Sequence, residues 1–135
     1  MADVQLSTLG SVIQVAYDGT AKQVISKSAT FTLAAADFAN STVRDAIVLM
    51  TNASAATATI PANATLAIPI GTTLVFVTEG AGTLTVAGAS GVTLTGNGGS
   101  VSAGSCDVQQ QYSAASFTKY ATDKWLAGGD IDVVA

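Results

Sequence analysis

From Ser28 onward the chain alternates apolar and polar residues in short runs, and glycine-rich breaks separate the runs. A period of two puts successive side chains on opposite faces of a strand, so the pattern reads as half-buried strands. Ala29-Thr30-Phe31-Thr32-Leu33 and Thr57-Ala58-Thr59-Ile60 alternate cleanly. The second run stops at Pro61, which lacks the N–H that a ladder needs. Thr42 to Thr51 carries Ile47-Val48-Leu49-Met50, apolar on both faces, which predicts a central strand. Ala34 to Ser41, with Asp37 and Asn40, reads as a helical turn or loop. Thr72 to Thr78 is the clearest strand. Thr83 to Val86 and Val92 to Thr95 follow, and Tyr112 to Tyr120 with Lys124 to Leu126 forms a last hairpin. The breaks Gly80-Ala81-Gly82 and Gly96-Asn97-Gly98-Gly99 read as hairpin turns, and Gly88 to Gly91 is a further break. Short strands with turns at such spacing predict an all-β fold, a jelly-roll-like or other antiparallel β-sandwich. The Leu-Thr-Val and Val-Thr-Leu rhythm also hints at a β-solenoid, but its period is too irregular to favour that architecture.

Residues 1–27 differ from this body. Leu6, Leu9, Val12 and Ile13 recur at a spacing suited to a short helix, Gly10 interrupts them, and Tyr17-Asp18-Gly19 reads as a turn. Two readings stay open: a first strand or helix packed on the core, or an arm reaching a neighbouring subunit. An apolar terminal segment becomes ordered only by docking somewhere. The division expected is an N-terminal arm, 1–27, and a β-sandwich body, 28–135. Leu6, Leu9, Val12, Ile13 and Tyr17 are the candidate partner-binding residues of the arm.

Composition bears on how such a body is stabilised. Among 135 residues, 49% are hydrophobic and only 10% charged, against about 25% charged in ordinary soluble domains. Much of the apolar fraction is alanine, and aromatics are 6%. Small side chains bury little area, so self-association is the expected remedy for a thin core. Few charges are available to protect strand edges, which argues the same way. The net charge of −4 disfavours nucleic acid as a partner. The longest aliphatic run, Ala46 to Met50, is far too short to span a membrane as a helix. No basic residue precedes Lys22, so no secretory signal is expected. Sequons at Asn40, Asn52 and Asn63 are of the kind that chance supplies in a Ser/Thr/Ala-rich chain.

Chemistry finds little purchase. The chain has no histidine, which removes the commonest general base and every Ser-His or Cys-His nucleophile. The single cysteine, Cys106, reads as a small buried hydrophobe. Asp130 and Asp132 would share one strand face, with Asp123 and Glu79 as further carboxylates. A solvated turn explains them, with an oxygen-ligated Ca²⁺ site as the alternative. Neither glycine cluster carries the Lys-Ser/Thr of a phosphate loop. Trp125 with Tyr112 and Tyr120 could stack a sugar, but a lone indole reads first as a structural anchor of the core. No catalytic residue, cofactor or metal is expected, and the chain is not expected to be an enzyme.

Ile68-Pro69-Ile70-Gly71-Thr72, Gly80-Ala81-Gly82, Gly91-Val92-Thr93-Leu94, Tyr112-Ser113, Lys119, Thr122-Asp123-Lys124-Trp125 and Gly129-Asp130-Ile131 together resemble a β-rich module of tailed-bacteriophage virion proteins. Such modules occur in head fibres, tail-fibre segments and capsid decoration (cement) proteins. Residues 42–131 carry the likeness, through turns and strand ends that mark a scaffold more than a role. In that likeness Gly71, Gly82 and Gly91 supply positive-φ turns and Trp125 fills the space under the last hairpin. Leu9-Gly10-Ser11-Val12-Ile13 and Ala16-Tyr17-Asp18-Gly19 resemble, over a shorter stretch, leader segments of phage head proteins. The resemblance implies a non-catalytic homotrimer on the capsid exterior, partnered by itself and the major capsid protein. The chain lacks the stalk repeats and heptads of a fibre, so it suits a cement protein better. A head-fibre, tail-fibre or baseplate segment is the alternative, and a carbohydrate-binding module a lesser one.

Overall fold

A computed structural model describes residues 22–96, 99–102, 105–108 and 110–134. The strands are β1 (Gln23–Lys27), β2 (Phe31–Thr32), β3 (Ala46–Met50), β4 (Ala56–Ile60), β5 (Thr73–Thr78) and β6 (Leu84–Gly88). They continue as β7 (Thr93–Gly96), β8 (Gly99–Ser102), β9 (Ser105–Val108), β10 (Ala114–Ala121), β11 (Lys124–Gly129) and β12 (Ile131–Val134). Two short 3-10 turns, Ala35–Asp37 and Ala39–Ser41, occupy the stretch read as a helical turn or loop. The fold is all-β, in two sheets: a seven-stranded sheet ordered β1-β3-β5-β10-β11-β7-β8 and a five-stranded sheet ordered β12-β9-β6-β4-β2.

The path from β1 to β6 alternates between the sheets, one strand in each. Each return to a sheet therefore enters in the same direction, and β1-β3-β5 and β2-β4-β6 are parallel. Ala46 stands opposite Leu74 and Ala58 opposite Val86, a step of 28 residues between the second and third coils (46 to 74, 58 to 86), against 23 and 27 between the first and second (23 to 46, 31 to 58). Among the described residues, five of the ten ladders are parallel. This corrects the expectation of a purely antiparallel sandwich. Alternation dictates which face a side chain takes and says nothing about strand direction.

The second half closes the stack. β10 runs antiparallel to β5, and β9 antiparallel to β6, so the exposed edges of the third coil are covered in both sheets. β11 pairs with β10 across a bulge between Lys119 and Ala121, and β12 pairs with β9.

Of the two expected hairpin turns, Gly80–Gly82 is a corner instead, as is the break at Gly88–Gly91. Gly80–Gly82 joins β5 to β6, and Gly88–Gly91 joins β6 to β7, in each case crossing between sheets. Only Gly96 to Gly99 links neighbouring antiparallel strands. The corners stack on one another: the N–H groups of Glu79 and Gly80 donate to Met50 O, and Gly82 N–H donates to Asn52 O. Asn52 is buried, and its Nδ2 donates to Ser54 O at 2.8 Å and Thr83 O at 3.1 Å, tying one corner to the next. Gly71 and Gly91 have φ of 100° and 91°, as the resemblance implies. Gly82 is not among the positive-φ residues; a Cβ there would collide with the Ser54 carbonyl of the corner beneath.

The core lies between the sheets. Met50, Leu74, Phe76, Phe117 and Trp125 from one sheet meet Ile60, Leu84, Val86 and Cys106 from the other. Phe76 and Phe117 pack edge to face, centroids 5.4 Å apart, a geometry favoured by the ring quadrupole. Trp125 is 1% exposed. Gln23–Lys27, assigned above to the arm, is an edge strand of the larger sheet. It is anchored by Lys27, whose Nζ pairs with Asp37 at 2.7 Å and lies 5.1 Å from the Phe31 ring centroid.

Candidate association surface

The alternation that buries one face of the seven-stranded sheet leaves the other facing outward. Its registers build continuous rows across the strands. Val24, Ile47, Val75, Ser116 and Gly128 form one row, and Ser26, Leu49, Val77 and Ala114 the next. Thr73, Thr118, Leu126 and Thr95 form a third, with Thr73 and Thr118 hydroxyls 2.9 Å apart. None of these side chains is charged. The described charges next to these rows are Lys22 paired with Asp45 at 3.6 Å and Lys124 at one end, and Glu79 beyond Val77 at the other. Val24 is 57% and Leu126 54% exposed, and Ile47, Leu49, Val75 and Val77 are half-buried by their neighbours alone.

The outer face of the five-stranded sheet is different. It carries Thr32, Thr57, Thr59, Thr85 and Ser105, with Asp107 directly opposite Asp132. Thr85 Oγ1 donates to Asp107 Oδ1 at 2.7 Å. Two carboxylates facing each other across a ladder repel, a disposition suited to a solvated face. The contrast between the faces is chemical: one offers aliphatic carbon and shared hydroxyls, the other hydroxyls and negative charge.

The residues singled out in the sequence fall in different places. Leu6, Leu9, Val12, Ile13 and Tyr17 lie outside the described residues. Trp125 points into the core, so no indole is exposed for a sugar. Tyr112 is exposed at a turn with φ of 61°, and Tyr120 is half-exposed at the β10 bulge. Asp132 lies on β12, and Asp130 in the bend before it, where its N–H donates to Ala114 O. Among the described residues no group of three or more Cys, Asp or Glu side chains could hold a metal ion. No described helix is long and apolar enough to cross a membrane.

The sequence reading missed the uncharged face because it followed each strand separately. The signal was present: Val24, Ile47, Val75 and Val77 all occupy positions that alternation assigns to solvent, where Lys or Glu would be ordinary. Lys119 was missed in the opposite sense. A lysine ordinarily keeps its charged end in water, yet this one is 2% exposed and points inward beside Trp125. No protein-family model matches the chain, and no curated protein is significantly similar to it.

Proposed function

We propose that this chain is a self-associating structural module of a tailed-phage virion, a capsid decoration (cement) protein that trimerises on the outside of the head. The observation that supports association is the uncharged outer face of the seven-stranded sheet. Apolar area of that extent gains free energy when removed from water, and no charge has to be desolvated to cover it. The virus itself comes from the resemblance over residues 42–131. The parallel coils β1/β2, β3/β4 and β5/β6 are taken as a short β-solenoid capped by the strands that follow.

A cement protein works by mass action. Binding only the mature lattice stabilises that state, and a trimer multiplies modest contacts into avidity. In this reading the major capsid protein is the partner and residues 2–19 supply the lattice contacts. Deleting 2–19 leaves the oligomer folded and abolishes decoration of capsids; full occupancy by the truncated chain would refute the arm's role.

The face is tested separately. Val24→Lys with Leu126→Lys places two charges on already exposed positions, so the fold persists by circular dichroism. Self-association measured by sedimentation equilibrium weakens by about tenfold or more, because like charges meet when two copies approach. Unchanged association would remove this face from the interface. The parallel coils, with β1 and β2 both at sheet ends, favour a second reading as a fibre segment built by end-to-end stacking. Copy number per particle separates the two: hundreds for cement, dozens or fewer for a fibre.

A further inference from the structure

Lys119 is an inward-pointing lysine on β10. Its Nζ donates to Asn63 Oδ1 at 2.8 Å and to Ile68 O at 2.7 Å. Both acceptors are neutral, and among the described residues no carboxylate forms an ion pair with it. An ammonium held this way is costly, since burial of charge is normally offset by an opposite charge.

The two side chains are held together by their backbones. Lys119 N–H donates to Thr72 O at 3.0 Å, and Gly71 N–H donates to Lys119 O at 2.7 Å, so β10 is stitched to the end of the 61–72 loop. At its other end Asn63 N–H donates to Asp123 Oδ1 at 2.7 Å, and Asp123 O accepts from Thr93 N–H at 2.8 Å. Trp125 stands opposite Lys119 on β11 and shields the inner side from water. A nitrogen in contact with a carboxamide oxygen is about 3–3.5 Å from its carbon, the separation of a near-attack pair. Rotation of the carboxamide about Cβ–Cγ is enough to present that carbon.

We infer that Lys119 and Asn63 form an intramolecular isopeptide bond that locks the 61–72 loop onto β10. Nζ, after losing a proton, attacks Asn63 Cγ. The Cγ–Nδ2 bond breaks and an Nζ–Cγ amide forms. Of the two protons that the lysine ammonium sheds, one converts the departing NH₂ to ammonia and the other makes it ammonium. Nothing is oxidised or reduced, and no further reactant is needed. The buried positive charge leaves with the ammonium ion, and a neutral amide remains in its place. Asp123 is a positioning residue, since it holds the Asn63 backbone. This bond does not depend on the association reading.

The full chain, purified and incubated at neutral pH, is tested by denaturing mass spectrometry. The bond lowers the mass by one ammonia, about 17 Da. Trypsin then fails to cut after Lys119, so residues 45–124 stay in one piece and the peptide Tyr120–Lys124 is absent. A further cut at Glu79, the only glutamate of the chain, leaves 45–79 and 80–124 joined. Lys119→Arg keeps the charge but cannot form the amide, and shows the unmodified mass with 45–79, 80–119 and 120–124 as three separate peptides after the same cut. Recovery of free Tyr120–Lys124 from the parent chain at full yield would overturn the inference. So would the same mass deficit in Lys119→Arg, which would place the loss of ammonia elsewhere.

Discussion

A methyl group on Gly82 would stand inside the Ser54 carbonyl, while one on Gly128 would meet only Ser116 Oγ at 3.7 Å. The two glycines therefore predict opposite outcomes. Gly82→Ala loses about 3 kcal/mol in urea unfolding, because two stacked corners must separate. Gly128→Ala is neutral or gains about 0.5 kcal/mol by restricting the unfolded chain. Cys106 makes a prediction in pH. Burial, and secondarily the Asp107 carboxylate, push its thiol above the ordinary value of 9.0. The folded state thus holds this proton to higher pH than the unfolded state does. The contribution is fully present below 9.0 and is lost as pH rises through the folded value. Thermal melts of the parent chain and Cys106→Val should diverge only on the alkaline side, with the parent falling more steeply.

Among the elements, β10 has the greatest structural consequence. It is the antiparallel strand that joins the parallel coils to the closing hairpin, through β5 on one side and β11 on the other. Phe117 lies at its centre, fully buried and edge-on to Phe76. Phe117→Ala is expected to cost about 3–5 kcal/mol. Loss of pairing on both sides should appear as one cooperative unfolding transition by circular dichroism and tryptophan fluorescence, since Trp125 reports on the same hairpin. A transition in two separated steps would mean that the coils and the hairpin fold independently. The 61–72 loop belongs to this element as well, because its hold on β10 runs through Lys119, Thr72 and Gly71.

For the whole molecule, the two sheets divide the labour. The rows across one outer face are uncharged, with charges only at their ends, and the other face carries hydroxyls and the Asp107–Asp132 pair. Association through the uncharged face should survive a rise from about 0.1 to 1 M salt, which shortens the screening length from about 10 to 3 Å. Sedimentation at the two salt concentrations checks this. Dissociation at high salt would point instead to the charged margin of Lys22, Asp45 and Lys124 as the contact.

How far these features were legible in the sequence depends on their range. Local alternation placed the strands at Thr73–Thr78, Leu84–Gly88 and Lys124–Gly129 to within a few residues, because facing is a property of each residue and its near neighbours. The absence of histidine and the scarcity of charge were likewise plain before any fold was known. Strand direction was not, since a glycine corner between sheets and a glycine hairpin within one look alike in sequence. The coil step of 23 to 28 residues was hidden as well: the 3-10 turns and the 61–72 loop interrupt the strand rhythm at different places in successive coils. The outward aliphatic rows needed the registers that align Val24, Ile47 and Val75. The inward turn of Lys119 needed the loop carbonyl and the Asn63 amide, brought to it from 51 and 56 residues away. The sequence by itself determined that this chain makes strands, carries little charge and has no histidine. Only the tertiary structure decided which way the strands run, which face is left bare and which lysine is enclosed, because each depends on partners distant in the chain.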